Sequence, residues 1–113
     1  MAAPLVSVSL GCDAIFLLGG TERSSPAQAL WIRSGDVTVL SGPARLAFHS
    51  VPRIVAGTSP AHLLAEPAAD LGAADGDFLA ALMADSRVNL NVRQVLPPDC
   101  SSLAELYDSA GAV

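Results

Sequence analysis

Short stretches in which apolar and polar residues alternate with a period of two, cut repeatedly by glycine, constrain this chain more than anything else in it. A strand sends successive side chains to opposite faces, so alternation builds one apolar face and one polar face. The clearest case is Arg87-Val88-Asn89-Leu90-Asn91-Val92-Arg93, with Val88, Leu90 and Val92 on one face. The other face carries two cations and two amides. Val6, Val8 and Leu10 alternate with Ser7 and Ser9 in the same way.

Gly11-Cys12-Asp13 reads as a turn into a second, more apolar strand from Ala14 to Leu18, which ends at Gly19-Gly20. A polar loop from Thr21 to Pro26 follows. The stretch ALWIRSGDVTVLSG predicts two strands folded into a hairpin about Ser34-Gly35-Asp36. Ser41-Gly42-Pro43 turns the chain again, and Ala47 to Val55 is expected to be strand, with Pro52 suited to a sheet edge. Short strands joined by Gly-rich turns predict a mainly β sandwich or jelly roll rather than an α/β sheet. Residues 56–76 are rich in Ala, Pro and Gly and read as an inserted loop. Asp77 is expected to cap a short helix, about 77–85, with Phe78, Leu79, Leu82 and Met83 on one face. Pro97-Pro98 ends the last strand, and Ser102 to Ser109 reads as a terminal helix.

Composition narrows the function. The chain of 113 residues has six Arg, no Lys and eleven acids, a net charge of -5. A stand-alone nucleic-acid binder usually shows the opposite balance. No apolar run approaches the roughly 18 to 20 residues of a membrane span, and the start, MAAPLVSVSL, has no basic flank of a signal peptide. Cys12 and Cys100 are too few for a disulfide framework or a zinc site, so the expectation is reduced thiols in an intracellular protein without a membrane partner.

Three constellations could carry chemistry. Along a strand, Arg87 and Arg93 stand about 20 Å apart at the backbone, near enough for extended guanidinium groups to lean together around a small dianion. A solvated strand face accounts for the same pattern. His49, in RLAFHSVPRI, suits a satisfied histidine as well as a ligand, since a metal needs further donors. His62 and Glu66 have helical spacing but fall in the insert, and one such pair does not define a metal site. Gly19-Gly20 lacks the surroundings of a nucleotide fingerprint.

Taken in order, PLVSVSLGCDAIFLLGG, ERSSP, SGDVTVLSG, ARLAFHSVPRI and SRVNLNVRQV resemble the C-terminal half of the AlkB family of iron(II)- and 2-oxoglutarate-dependent dioxygenases. AIFLLGG, HSVPRI and RVNLNVRQV are most similar to the branch of eukaryotic AlkB homologue one. The resemblance covers most of residues 3–56 and 86–96. It implies the C-terminal portion of a double-stranded β-helix, to which the residues themselves add a loop insert and one or two short helices. In these terms residues 1–96 are an AlkB-like domain, and 97–113 are a tail.

The resemblance also implies roles. His49 falls on the distal iron-ligating histidine of the family. Arg87, Asn89 and Arg93 fall on its R-x-N-x-x-x-R motif, in which the first arginine grips the far carboxylate of 2-oxoglutarate and the last lies near the chelating end. Asn91 shares that face, and Arg23 aligns with an arginine that contacts the nucleic-acid substrate. The implied cofactors are Fe(II), 2-oxoglutarate and dioxygen, and the implied partner is methylated DNA or RNA. The implied reaction is oxidative demethylation, in which 2-oxoglutarate becomes succinate and a hydroxylated N-methyl group leaves as formaldehyde.

One departure stands out. The other two iron ligands of the family form an H-x-D motif, and no H-x-D or H-x-E occurs in this chain. The expectation is therefore a fragment of a dioxygenase, inactive alone and able to associate with a missing N-terminal portion. The alternative is an inactive remnant that acts as a binding or complementing partner.

Overall fold

The computed structural model describes residues 3–65, 72–94, 96 and 100–102. Six strands occur in the order β1 (Leu5–Gly11), β2 (Asp13–Leu18), β3 (Gln28–Ile32), β4 (Val37–Leu40), β5 (His49–Val55) and β6 (Arg87–Arg93). Two helices, α1 (His62–Ala65) and α2 (Ala73–Asp85), lie between β5 and β6. The strands form two antiparallel three-stranded sheets, β4-β1-β6 and β3-β2-β5. The chain thus passes repeatedly from one sheet to the other, as a jelly-roll architecture requires.

The hairpin expected about Ser34-Gly35-Asp36 does not form. β3 pairs with β2, while β4 pairs with β1 in the other sheet. The turn is real, but it crosses between sheets. Gly35 adopts φ 91°, and its N–H donates to the Ser9 carbonyl at 2.7 Å. Ser9 N–H in turn donates to the Asp36 carbonyl at 3.0 Å, so the turn docks on β1. Alternation marks each strand but does not choose its partner.

Three further boundaries differ from expectation. A short 3-10 helix, Gly42–Leu46, replaces the simple turn after β4, and β5 starts at His49 rather than Ala47. Pro52 lies in an edge strand at a break in register between Ile15 and Leu17, where a missing N–H costs least. Within the insert, α1 packs against α2, and α2 begins at Ala73, so Asp77 lies inside the helix rather than at its cap. Ala-rich sequence favours helix from Ala73 onward. Of its expected apolar face only Met83 is buried, and Phe78 is 70% exposed. Glu66, Pro97-Pro98 and residues 103–109 of the expected terminal helix lie outside the described residues.

The β1–β2 corner fixes β6 in place. A side chain on Gly11, which has φ 89°, would collide with the Ser86 carbonyl oxygen just before β6. Cys12 N–H donates to that same oxygen at 2.9 Å. The buried Cys12 thiol donates to the Ala84 carbonyl at 3.1 Å, so the end of α2 is held there too. A compact core of Ala14, Phe16 and Ile32, extended by Leu18 and Val51, covers the inner face of the second sheet. Burying a side chain such as Phe16 contributes about 1.5–3 kcal/mol.

Candidate functional site

The inner face of the first sheet is set by register. Across β1 and β6, Gly11 faces Arg87, Ser9 faces Asn89, Ser7 faces Asn91 and Leu5 faces Arg93. Serines are small, which leaves room above β1 for the longer side chains of β6. A cavity of about 130 Å³ opens there between the sheets, many times the roughly 10–15 Å³ that one water needs. Arg87, Asn89 and Asn91 line it from the first sheet, and Phe16 and His49 from the second.

Hydrogen bonds tie these polar groups together. The Arg87 Nη2 donates to Ser9 Oγ at 2.8 Å and to Asn89 Oδ1 at 3.2 Å. Ser7 Oγ also donates to Asn89 Oδ1, and Asn89 Nδ2 donates to Asn91 Oδ1 at 3.1 Å. Ser7 and Ser9 are both buried, so their hydroxyls are satisfied by this network rather than by water. Arg87 is left with an unmet need. Its Nε is buried without a hydrogen-bond partner, and burial pushes the guanidinium below its usual pKa range. An arginine stays protonated through the neutral range, so the cleft is lined by a positive charge that no carboxylate among the described residues pairs with. A buried donor without a partner costs about 1–3 kcal/mol. Arg45 also has a buried, unpartnered Nε, but it does not line this cavity.

His49 stacks on Phe16 with ring centroids 5.9 Å apart and an interplanar angle of 28°. Its Nδ1 lies 2.9 Å from the Ala47 carbonyl oxygen. A carbonyl only accepts, so in the neutral ring Nδ1 carries the proton and the lone pair is on Nε2. That is the tautomer a metal-ligating histidine needs. The rest of an iron site is not there: among the described residues no three His, Cys, Asp or Glu side chains are grouped to hold a metal. The cleft therefore fits a carboxylate cosubstrate, while iron needs donors beyond these residues.

The structure thus brings Arg87, Asn89, Asn91 and His49 together and leaves two expected residues outside the cleft. Arg93 is exposed at the far end of β6 and does not line the cavity, so the two arginines do not close on one another there. Arg23 stands over the Phe48 ring at 5.3 Å and lines a separate hollow that also reaches His49. Sequence reasoning missed Ser7, Ser9 and Phe16. The Val-Ser-Val-Ser-Leu alternation exposed the serines as a polar face, but only register shows that this face meets Arg87 and the asparagines.

Comparison with known proteins gives the arrangement a family. The model of the 2OG-Fe(II) oxygenase superfamily matches residues 1–93. The DNA N(6)-methyladenine demethylase ALKBH1A of Arabidopsis thaliana is 47% identical over 92 residues, covering 81% of this chain and 26% of that protein. The tRNA demethylase abh1 of Schizosaccharomyces pombe is 41% identical over 97 residues, covering 86% of this chain and 29% of that protein. The solved structure of OsALKBH1 superposes with a TM-score of 0.59 at 35% identity, over 80% of this chain and 35% of that one. The two sheets are thus part of a double-stranded β-helix, and the chain spans 26% and 29% of these two curated relatives. Its superfamily uses Fe(II), 2-oxoglutarate and dioxygen, and no helix among the described residues is long and apolar enough to cross a membrane. The chain belongs to the 2OG-Fe(II) oxygenase superfamily, in its AlkB family.

Proposed function

We propose that the cleft between the sheets holds 2-oxoglutarate, with its far carboxylate on Arg87, and that the chain contributes this pocket to an AlkB-like oxidative demethylase of nucleic acid. The observation that carries the reading is Arg87, half-buried at the cleft and paired with no carboxylate among the described residues. A carboxylate is the group that satisfies a planar, charged, multi-donor side chain best. Ser9 and Asn89 both accept from Arg87, and Asn91 braces Asn89, so the charge is positioned before the ligand arrives. Arg93, exposed at the far end of β6, is assigned the weaker role of attracting the dianion. His49 presents Nε2 as one metal donor. When bound, 2-oxoglutarate supplies two electrons for the reduction of dioxygen as it loses carbon dioxide. Arg23 is assigned to the nucleic-acid substrate, whose methylated base the AlkB relatives suggest. On this reading residues 1–96 form the AlkB-like domain portion and residues 97–113 the tail.

Calorimetric titration of the chain separates this pocket from a solvated strand face. Glutarate, a dicarboxylate of the same length, should bind, and butyrate should bind at least tenfold more weakly. Equal affinities, or no heat from either, would overturn the assignment. A second reading, a binding or complementing partner without turnover, is favoured by the absence of a metal-holding group among the described residues. Both readings predict no iron-dependent succinate formation from residues 1–113 alone; robust succinate production would show that His49 finds its partners within this chain.

A further inference from the structure

His49 is shared by two hollows. Besides the cleft, a hollow of about 250 Å³ is lined by Glu22, Arg23, Ser25, Phe48 and His49. The loop that carries Arg23 is clamped to Phe48 through the backbone. Gly19 N–H donates to the Phe48 carbonyl at 2.8 Å, and Phe48 N–H donates to the Gly20 carbonyl at 2.9 Å. Ser25 N–H closes the loop on the Glu22 carbonyl at 3.1 Å. Gly20 is required there, because a side chain would stand 2.6 Å from Ser25 Oγ. The clamp brings the Arg23 guanidinium 5.3 Å from the centre of the Phe48 ring. Phe48 is 46% exposed, so this contact sits at the surface. Among the described residues no carboxylate pairs with Arg23.

We propose that Phe48 is a positioning residue: it holds Arg23 beside His49 to receive a backbone phosphate of single-stranded nucleic acid, and the hollow seats the adjoining nucleoside. A guanidinium resting on a ring keeps its N–H edge free, and that edge matches phosphate oxygens in pairs. The exposed ring adds a stacking surface for a base. The chain carries a net charge of -5, so a polyanion is not drawn to it by overall charge. Recognition must come from a few preset cations, which is what the Phe48 contact provides. The inference rests on nucleic acid as the proposed substrate class, and it is independent of what fills the Arg87 cleft.

The test is fluorescence anisotropy of the full chain with a labelled mixed-sequence single-stranded oligodeoxynucleotide over a series of salt concentrations. Arg23→Ala should weaken binding and flatten the slope of log affinity against log salt by about 0.7, the share of one phosphate. Phe48→Leu should weaken binding roughly three- to fivefold, and Phe48→Tyr should restore it. In an Arg23→Ala background Phe48→Leu should add nothing, because its effect runs through Arg23. No binding by the unaltered chain, no effect of Phe48→Leu, or an undiminished effect in the Arg23→Ala background would each overturn the proposal. Glutarate titration of the same samples keeps the two readings apart. Loss of oligonucleotide binding with glutarate binding intact counts against the Phe48 role when the unaltered chain shows it, and for that role when only Phe48→Leu does. Loss of both in Phe48→Leu marks a defect of fold and overturns it.

Discussion

The two faces of the β4-β1-β6 sheet follow one alternation and reverse the usual arrangement. Its inner face carries Ser7, Ser9, Thr38, Arg87, Asn89 and Asn91, while its outer face is apolar throughout. Val39, Val6 and Val92 form one row of that outer face, and Val37, Val8 and Leu90 the next. Val92 at its edge is 66% exposed. A sheet whose polar side faces a cleft and whose apolar side faces outward is not built to maximise its own core. The inner face spends its positions on holding a charged ligand, and the outer face is left to packing against something else.

This contrast is open to attack from either side. Arg87→Ala should produce the largest effect, a loss of glutarate or 2-oxoglutarate affinity on the order of a hundredfold, read by calorimetry. Arg87→Lys should recover only part of it, since an ammonium cannot match both carboxylate oxygens in one plane. Asn89→Ala comes next, with roughly tenfold weaker binding, because it removes the acceptor shared by Ser7 and Arg87. Arg93→Ala should cost no more than about threefold, as expected for an exposed charge outside the cavity. Smallest of all, the outer-face pair Val39→Lys and Val92→Lys should leave affinity within about twofold and stability within about 0.5 kcal/mol each. That pair should nevertheless reduce binding of a hydrophobic dye such as ANS. A large affinity loss from the outer pair, or none from Arg87→Ala, would erase the distinction between the faces.

The charge of Arg87 gives a pH expectation with a definite sign. Burial lowers its folded-state pKa, so between the folded and unfolded values the unfolded chain binds more protons and stability rises with pH. That window lies far on the alkaline side. Across about pH 6 to 9 the guanidinium is charged in both states, and the burial cost is constant. Dicarboxylate affinity should therefore be flat over this range for the unaltered chain. A midpoint near neutrality would assign the grip to a histidine instead.

Much of this was legible in the sequence, and unevenly. The alternation of RVNLNVR located β6, because a period of two has a single structural meaning when strictly kept, although the strand ends at Arg93 rather than running to Pro97-Pro98. Alternation put Arg87, Asn89 and Asn91 on one polar face, resemblance to a family singled out His49, and the structure brings these four into one cleft. Pairing was not legible: Ser34-Gly35-Asp36 has the residues of a hairpin turn, yet its backbone bonds go to β1. Long-range register decides such cases, and no local signal encodes it. The α2 helix failed for a different reason. Asp77 looked like a cap and Phe78 like a core residue, but the Ala-rich run before them propagates helix to Ala73, and the apolar residues do not share one buried side. Phe48 escaped notice because an aromatic beside a histidine reads as core; only its contact with Arg23 marks it otherwise.

The central claim is that the Arg87 guanidinium at the cleft takes the carboxylate of 2-oxoglutarate. It is tested most directly by following the Arg87 Nε–H and the Asn89 and Asn91 side-chain amides in ¹H–¹⁵N spectra during titration with 2-oxoglutarate. These resonances should move together and saturate, the Nε–H shifting as its guanidinium engages the carboxylate, while the amides of Phe78 and Leu79 on α2, which does not line the cleft, stay in place. An Nε–H that does not respond, or shifts that gather on the outer face, would contradict the account.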